Sequence, residues 1–170
     1  KGSSDGDEAV AGTSAAYEGE WIMWMDDDAI FCDMRFRFPL EVYNAADVDL
    51  VMWGDEHMTY ADGNSDGINT GTMLMRVSDW SRELLAAWTD LASSAVRETL
   101  TNHDQGGLVH LLHTQPERWR HKTLLERKFT MNGHWPEYAG RLVRGSRSLK
   151  ASVWGSSAPP FILHYSGCQM

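Results

Sequence analysis

Three consecutive carboxylates, Asp26-Asp27-Asp28, are the residues in this sequence best suited to chemistry. In an extended chain Asp26 and Asp28 point to the same side, because side chains alternate between the two faces of a strand. Two hard oxygen ligands on one side suit Mn²⁺ or Mg²⁺ held together with a phosphate. An acidic turn is the alternative interpretation, since Asp is common in turns. The tripled charge, set between apolar residues, favours the metal site.

The apolar run that precedes the carboxylates must position them. It is rich in Trp and continuous from Trp21 to Met25, which predicts a β-strand over 20–25 that is buried on both faces. Ligands bind at the carboxyl ends of strands in open α/β sheets. We therefore expect the carboxylates to lie at a ligand-binding edge of such a sheet.

Other apolar runs predict further strands. A core strand is predicted over 48–53, ended by Gly54. Gly71, which precedes the next apolar run, suggests a backbone that approaches another group closely. A plain junction between loop and strand explains Gly71 equally well. Pro39 favours a loop over 34–40 that packs on the core.

Two helices are predicted in the middle of the chain. Apolar residues at helical spacing predict the first over 79–97, capped by Ser78 or Asp79. The second helix is predicted to begin at Asn102. Gln105 stands three residues further on, as in a capping box.

The carboxyl-terminal part carries weaker signals. A strand is predicted over 123–131, a turn over 132–136 and a loop over 141–160. The apolar residues 161–163 lead to His164. A single His after an apolar triplet is more often a core residue than a ligand.

The composition fits one globular domain. The chain has 170 residues, of which 42% are hydrophobic and 23% charged. A net charge of −9 argues against nonspecific nucleic-acid binding, and no apolar run is long enough to span a membrane. Residues 1–19 are expected to form a flexible lead-in to a folded domain over 20–170. Cys32 and Cys168 lack the spacing of a zinc site, and the sequence leaves a disulfide between them open.

Several stretches occur in a fixed order between residues 20 and 168. They are Trp21 to Leu40, Val51 to Gly54, Gly67 to Arg76, Trp80 to Trp88, His103 to Gln105, Asn132 to Trp135, and His164 to Cys168. In this order they resemble glycosyltransferase family 34. That family holds xyloglucan xylosyltransferases, galactomannan galactosyltransferases, and fungal α-galactosyl and α-mannosyl transferases of mannan chains. A single Asp-x-Asp motif is weak support, whereas the ordered set is strong.

The resemblance implies a fold, a reaction and a location. The fold is GT-A, a Rossmann-like α/β/α sandwich that binds a UDP-sugar, usually with Mn²⁺. The reaction moves a hexose or pentose to an oligosaccharide, polysaccharide or N-glycan acceptor, with retention of the α configuration. The location is the Golgi lumen, in a type II membrane protein whose anchor lies outside this chain. Homo- or hetero-dimers with related transferases are compatible with the resemblance.

The resemblance also assigns roles by motif position. The metal ligands are Asp26, Asp28 and His164, which leave open positions for the two phosphates of UDP. Asp104 and Gln105 lie beside the transferred sugar and are the catalytic candidates. The remaining residues placed near donor or acceptor are Asn69, Thr70, Gly71, His103, Gly133, Trp135, Gly167 and Gln169.

Three features depart from the family pattern. His103 stands where the family often has Asp, and Asn132 to Trp135 reads NGHW where plant members have HGYW. Gln169 replaces a plant Lys that can touch the diphosphate, and Arg141 or Arg144 could substitute for it. These departures weaken the expectation of xylose and xyloglucan more than the expectation of sugar transfer.

A Rossmann-like half also needs a βαβ unit before the Asp-x-Asp strand, and only residues 1–19 precede that strand here. We therefore expect a partial GT-A domain, truncated at its amino terminus. Two other functions stay open. One is a non-catalytic relative that binds glycan or a partner transferase. The other is a nucleotide-sugar phosphohydrolase, which ranks last because no residue is identified as the base that would activate water.

Overall fold

The computed structural model describes residues 19–127, 131–134 and 161–165. Short strands and helices alternate along the chain. The strands are β1 (Trp21–Met25), β2 (Ala29–Phe31), β3 (Leu50–Gly54), β4 (Ile68–Arg76), β5 (Thr123–Leu125), β6 (Gly133–His134) and β7 (Ile162–His164). The helices are α1 (Leu40–Ala45), α2 (Asp79–Ala92), α3 (His103–Thr114) and α4 (Pro116–Trp119).

Two sheets organise the strands. The larger has the order β1-β4-β3-β5, in which β4 pairs antiparallel with β1 and β3, and β3 pairs parallel with β5. The smaller has the order β2-β7-β6. Its strand β2 follows the three carboxylates and pairs antiparallel with β7, so that Ala29 lies opposite His164. The smaller sheet therefore brings the carboxyl-terminal His next to the carboxylates.

Helices cover both faces of the larger sheet. Leu50 and Met52 of β3 pack in one apolar cluster with Leu84 of α2 and the apolar residues of α3. Val51, between them, packs in a second cluster with Tyr43 of α1. Side chains alternate along a strand, so the two clusters lie on opposite faces of β3. This layering of helix, sheet and helix confirms the predicted α/β class.

The strand β1 differs from its prediction. It covers the expected residues, but it is an edge strand of the described sheet, where it pairs with β4. Ile22 and Trp24 are 60% and 57% exposed, whereas Trp21 and Met23 pack against the core. The prediction of burial on both faces is therefore wrong. Apolar composition alone does not show which faces of a strand other elements cover.

The helices follow the sequence more closely. Ser78 and Ser81 accept hydrogen bonds from each other's backbone N–H groups, which completes a capping box at the start of α2. The helix ends at Ala92, short of its predicted end, and a 3₁₀ turn over Ala95–Thr99 follows. Helix α1, directly after Pro39, has no counterpart in the prediction, because six residues are too few to display a helical period.

The loops are tested in part. Residues 34–39 form the predicted loop, in which Phe36 and Phe38 pack on Phe161 with ring centroids 4.5 and 5.2 Å apart. Strand β5 ends at Leu125, earlier than predicted. Gly133 and His134, predicted to lie in a turn over 132–136, form the short strand β6. Predictions that fall outside the described residues are the lead-in over 1–18, the loop over 141–160 and any disulfide to Cys168.

Every helix in the described part of the chain is too short or too polar to cross a bilayer.

A network of buried charged side chains lies near the start of β1, at the opposite end of the strand from the three carboxylates. Asp49 is 1% exposed, and its carboxylate accepts hydrogen bonds from Arg76 and, at 2.8 Å, from the Ser78 hydroxyl. Lys122 Nζ lies 3.5 Å from the same carboxylate. Hydrogen bonds from Arg76 and Lys122 also hold the pKa of the exposed Asp47 carboxyl below its usual range. The network joins β4 to the segments that precede β3 and β5.

Removing the charge of Asp49 should destabilise the fold. Asp49→Asn leaves the Arg76 guanidinium, whose side chain is only 20% exposed, without its buried partner. Breaking such a pair should lower the free energy of unfolding by about 3 kcal/mol. Urea unfolding followed by tryptophan fluorescence measures the loss. The control Asp33→Asn, whose partner Arg35 is 92% exposed, should leave stability nearly unchanged. Equal losses in both variants would argue against a structural role for Asp49.

Candidate active site

Three groups that can bind a metal ion meet where β1 ends. His164 Nε2 lies 2.9 Å from Asp28 Oδ1 and 3.6 Å from Asp26 Oδ2. One ligand atom from each residue can be chosen so that all three lie within 4.8 Å of one another. The structure therefore brings together the two carboxylates and the imidazole that the sequence analysis singled out.

The surroundings of His164 fit a metal ligand. The residue is 3% exposed, and its Nδ1 lies 3.1 Å from Asn132 Oδ1, so the ring proton is assigned to Nδ1, which donates to the amide oxygen. With this tautomer, Nε2 carries a lone pair that can bind a cation held together with the carboxylates. Asp28 Oδ1, opposite Nε2, is buried and accepts no hydrogen bond from the described residues. A cation between these atoms would satisfy the lone pair and the buried oxygen together.

A turn, rather than a strand, brings the carboxylates together. After β1 ends, the Ala29 N–H donates to the Asp26 carbonyl at 3.2 Å. The expected geometry, with both side chains on one side of an extended chain, is therefore wrong, because Asp26 and Asp28 belong to this turn. The Trp24 indole donates to Asp26 Oδ1 at 3.0 Å and orients that carboxylate. The Tyr165 N–H donates to the Asp28 carbonyl at 3.0 Å and ties the turn to the end of β7.

Gly71 lies against this cluster. Its carbonyl accepts a hydrogen bond from the Asp26 N–H at 2.8 Å, and its N–H donates to Asn69 Oδ1 at 2.8 Å. A methyl group on Gly71 would lie 2.2 Å from His164 Cε1 and 2.8 Å from Asp26 Oδ2. The structure thus shows the close approach that the sequence suggested at this position, and no larger residue fits without moving the cluster.

Thr70 and the first turn of α3 form the adjacent wall. The Thr70 hydroxyl donates to Asp104 Oδ2 at 2.7 Å, and the Thr70 N–H donates to Gln105 Oε1 at 3.4 Å. Gln105 Nε2 donates to the Ser65 carbonyl at 2.5 Å. From α2, the Trp88 indole donates to the Asp104 carbonyl at 2.7 Å. The catalytic candidates Asp104 and Gln105 are thus fixed by the segment that leads into β4, by β4 itself and by α2.

Helix α3 begins where the sequence predicts, but without the predicted cap. Asn102 has a positive φ of 55°, and its side chain makes no capping hydrogen bond. Its amide donates instead to Asp66 Oδ1 at 2.8 Å and to Ser65 Oγ at 3.0 Å. The predicted capping box of Asn102 with Gln105 is therefore wrong, because partners in the loop before β4 compete for both side chains.

These groups line one polar cleft of about 580 Å³. Its walls are Asp26, Asp28, Asp66, Asn69, Thr70, Gly71, Asn102, Asp104, Gln105 and His164. None of these described wall residues is a Lys or an Arg. The wall is therefore acidic, and it would repel a diphosphate that arrived without a cation.

Sequence reasoning missed several of these contributions. Asn132 begins the stretch Asn132 to Trp135 that carries part of the family resemblance. A His that binds a metal through one nitrogen needs a hydrogen-bond partner for the other, and Asn132 is a candidate that the sequence offers. The prediction of a strand buried on both faces gives no indication that Trp24 bonds to Asp26. Asp66 and Asn102 are 36 residues apart, and no pattern in the sequence connects them.

The remaining predicted residues are placed only in part. Gly133 lies buried in β6, beside β7, and is not among the described residues of the cleft wall. His103 is the first residue of α3. The positions that lie outside the described residues are Trp135, Arg141, Arg144, Gly167 and Gln169.

The chain matches a known family over most of its length. Residues 16–170 match the galactosyl transferase GMA12/MNN10 family. Xyloglucan 6-xylosyltransferase 1 of Arabidopsis thaliana is 35% identical over 167 residues, which cover 89% of this chain and 36% of the relative. Probable glycosyltransferase 3 of Oryza sativa subsp. japonica is 34% identical over 171 residues, which cover 89% of this chain and 35% of the relative. The chain thus spans about a third of the length of these relatives.

Two solved structures share the fold. One is a glycosyltransferase involved in the glycosylation of the major capsid of PBCV-1, with a TM-score of 0.51 and 14% identity over 88% of this chain and 61% of that chain. The other is the galactosyltransferase LgtC in complex with donor and acceptor sugar analogs, with a TM-score of 0.53 and 17% identity over 86% of this chain and 52% of that chain. Both are GT-A glycosyltransferases. With a GT-A fold and a family match over residues 16–170, this chain belongs to glycosyltransferase family 34, the galactosyl transferase GMA12/MNN10 family.

Proposed function

We propose that the protein is a metal-dependent, retaining glycosyltransferase. It moves a hexose or pentose from a UDP-sugar to a glycan acceptor and forms an α-glycosidic bond. The observation that carries the proposal is that Asp26, Asp28 and His164 converge in one cleft. The hydrogen-bonded pair of Thr70 and Asp104 lines the same cleft. Such a cleft supplies a site for a cation and diphosphate next to a site for a sugar.

Asp26, Asp28 and His164 would hold Mn²⁺ or Mg²⁺. When bound, the cation supplies the positive charge that neutralises the diphosphate leaving group. The protein supplies a fixed ligand set, because Asn132 selects the ring tautomer with Nε2 unprotonated and Trp24 orients the Asp26 carboxylate. Since the cleft wall is acidic, donor binding is expected to depend on the metal.

Asp104 and Gln105 would contact the transferred sugar. Thr70 donates to Asp104 Oδ2, which leaves Oδ1 to accept a hydrogen bond from a sugar hydroxyl. Gln105 is held between the Thr70 N–H and the Ser65 carbonyl, so it stiffens this wall. Retention requires the acceptor to approach on the face from which the diphosphate leaves, and a rigid wall beside the sugar would limit the acceptor to that face.

The acceptor proposed is an oligosaccharide, polysaccharide or N-glycan, and the location proposed is the Golgi lumen, in a type II membrane protein. The name of the relative xyloglucan 6-xylosyltransferase 1 supports a polysaccharide acceptor. Action as a homo- or hetero-dimer with related transferases is compatible with this proposal. The competing proposal is a non-catalytic relative that binds glycan or a partner transferase, and it expects no turnover of a UDP-sugar.

Asp28→Asn should abolish metal-dependent donor binding, because it keeps the size of the side chain but removes its charge. At 100 times its Kd, UDP with saturating Mn²⁺ should stabilise the wild-type protein by about 2.7 kcal/mol. The variant should show no such stabilisation, and its sugar transfer should fall by about 100-fold or more. Scanning calorimetry of the protein expressed from its complete gene, with and without these ligands, measures the difference.

Asp27→Asn is the matched control for this experiment. Asp27 is exposed, lies between Asp26 and Asp28 in the chain and loses the same charge on substitution. It is not part of the proposed metal-binding cluster of Asp26, Asp28 and His164. It should keep both the stabilisation and the transfer. A fully active Asp28→Asn enzyme, or a folded wild type that does not respond to Mn²⁺ and UDP, would contradict the metal role.

Gly71→Ala should weaken metal binding by displacing the side chains of the cluster. Its methyl group would collide with the His164 ring and the Asp26 carboxylate, so these groups must move apart. The affinity for Mn²⁺, measured by isothermal titration calorimetry, should fall by about 10–100-fold. Gly54→Ala is the control, because its methyl group would meet apolar side chains at 3.0 Å outside the cleft. It should lower stability but not Mn²⁺ affinity, and an unchanged affinity in Gly71→Ala would disprove the close fit.

Trp88→Phe should slow catalysis without weakening metal binding. The substitution removes the indole N–H that holds the Asp104 carbonyl and leaves an aromatic ring in the core. We expect kcat to fall by about 10-fold, because the first turn of α3 loses a fixed contact, whereas Mn²⁺ affinity stays unchanged. Trp80→Phe is the control, since the Trp80 indole donates to the Arg118 carbonyl at 3.1 Å. Steady-state kinetics that show equal kcat losses would indicate a general effect of destabilisation.

A further inference from the structure

The loop before β4 adds a second pair of polar side chains to the cleft. Asp66 and Asn102 line the same 580 Å³ cavity as the metal-binding cluster, and both residues are exposed to solvent. They are joined by the hydrogen bond from Asn102 Nδ2 to Asp66 Oδ1 at 2.8 Å. Neither residue has a part in the function proposed above.

After the hydrogen bonds of this pair are counted, its side chains still have acceptor atoms for a ligand, but both amide hydrogens of Asn102 are already used. The Asn102 amide has two hydrogens, and it donates to Asp66 Oδ1 and to Ser65 Oγ. The reverse amide orientation would set two oxygens against each other, so the contacts assign this one. Among the described residues, Asn102 Oδ1 and Asp66 Oδ2 have no hydrogen-bond partner. The pair therefore presents two neighbouring acceptors.

This arrangement selects the class of ligand. Two acceptors need two donors, which neighbouring hydroxyl groups of a sugar ring supply. The charge of Asp66 repels a phosphate, so this part of the wall does not suit the diphosphate of a nucleotide-sugar. A cation would find one carboxylate here, against two carboxylates and an imidazole at the metal-binding cluster. A neutral polyol is the ligand that fits.

The pair also adjoins the catalytic candidates. Ser65 Oγ accepts from Asn102, while the Ser65 carbonyl accepts from Gln105 at 2.5 Å. Asn102 stands two residues before Asp104 at the start of α3. We propose that Asp66 and Asn102 bind two hydroxyl groups of a sugar ring beside Asp104, and thereby determine which sugars the cleft accepts. This inference rests on the proposed function and adds a specificity determinant to it.

Two substitutions test the inference in the protein expressed from its complete gene. Asp66→Asn replaces the charged acceptor with an amide. Asn102→Gly removes the other acceptor and tolerates the positive φ, which Gly adopts without strain. Each should raise KM for the sugar-bearing substrate by about 10-fold, because a hydrogen bond to the sugar is lost. The affinity for UDP with Mn²⁺, which contains no transferred sugar, should not change.

Asp62→Asn is the matched control. Asp62 is exposed in the same loop and loses the same charge on substitution. It lies 3.7 Å from His57 Nε2 and is not among the described residues of the cleft wall. Its KM values should equal those of the wild type.

Separate KM values for UDP-galactose, UDP-xylose and a mannan oligosaccharide acceptor identify the sugar that is bound. A rise confined to the donors assigns the pair to the transferred sugar, a rise confined to the acceptor assigns it to the accepting sugar, and either supports the inference. If binding of UDP with Mn²⁺ is intact and no KM changes in either variant, the inference is overturned while the proposed function stands. If the wild type binds no UDP with Mn²⁺, the proposed function fails, and this inference fails with it.

Discussion

The close approach of one buried imidazole to two carboxylates is the constraint on which the cleft depends. The His164 ring is held in place because Asn132 Oδ1 accepts a hydrogen bond from its other nitrogen and because Gly71 has no side chain to obstruct the ring. The carboxylates Asp26 and Asp28 come from the turn after β1, whereas the imidazole comes from β7. Pairing of β2 with β7 is therefore what brings the carboxylates and the imidazole together.

Strand β4 connects this cluster to the rest of the cleft. Gly71 contacts the cluster of Asp26, Asp28 and His164, while the preceding Thr70 bonds to Asp104 and Gln105. One short segment of β4 therefore contacts both halves of the cleft. At the other end of the strand, the Arg76 side chain donates a hydrogen bond to the buried Asp49 carboxylate. Stability and site geometry thus depend on opposite ends of the same strand.

The sequence predicted the features that local chemistry determines. The acidic tip of an apolar strand, the Ser78 cap of α2 and the α/β class all follow from patterns of neighbouring residues. The exposure of Trp24 was not predictable, because it depends on which elements cover β1. The capping box at Asn102 was wrong for a related reason: Asp66 competes for its side chain across 36 residues, and such a competitor becomes visible only once the chain has folded. The contacts in the site that the sequence does not predict are those between residues far apart in the chain.

A crystal of the protein expressed from its complete gene, grown with Mn²⁺ and UDP, tests the central claim most directly. Anomalous scattering locates the manganese independently of the other atoms. The expected result is one anomalous peak at ligand distance from His164 Nε2 and from the carboxylates of Asp26 and Asp28, with the diphosphate on its open side. A peak elsewhere in the cleft, or a His164 ring turned away from the manganese, would contradict the claim that this imidazole and these carboxylates form the metal site.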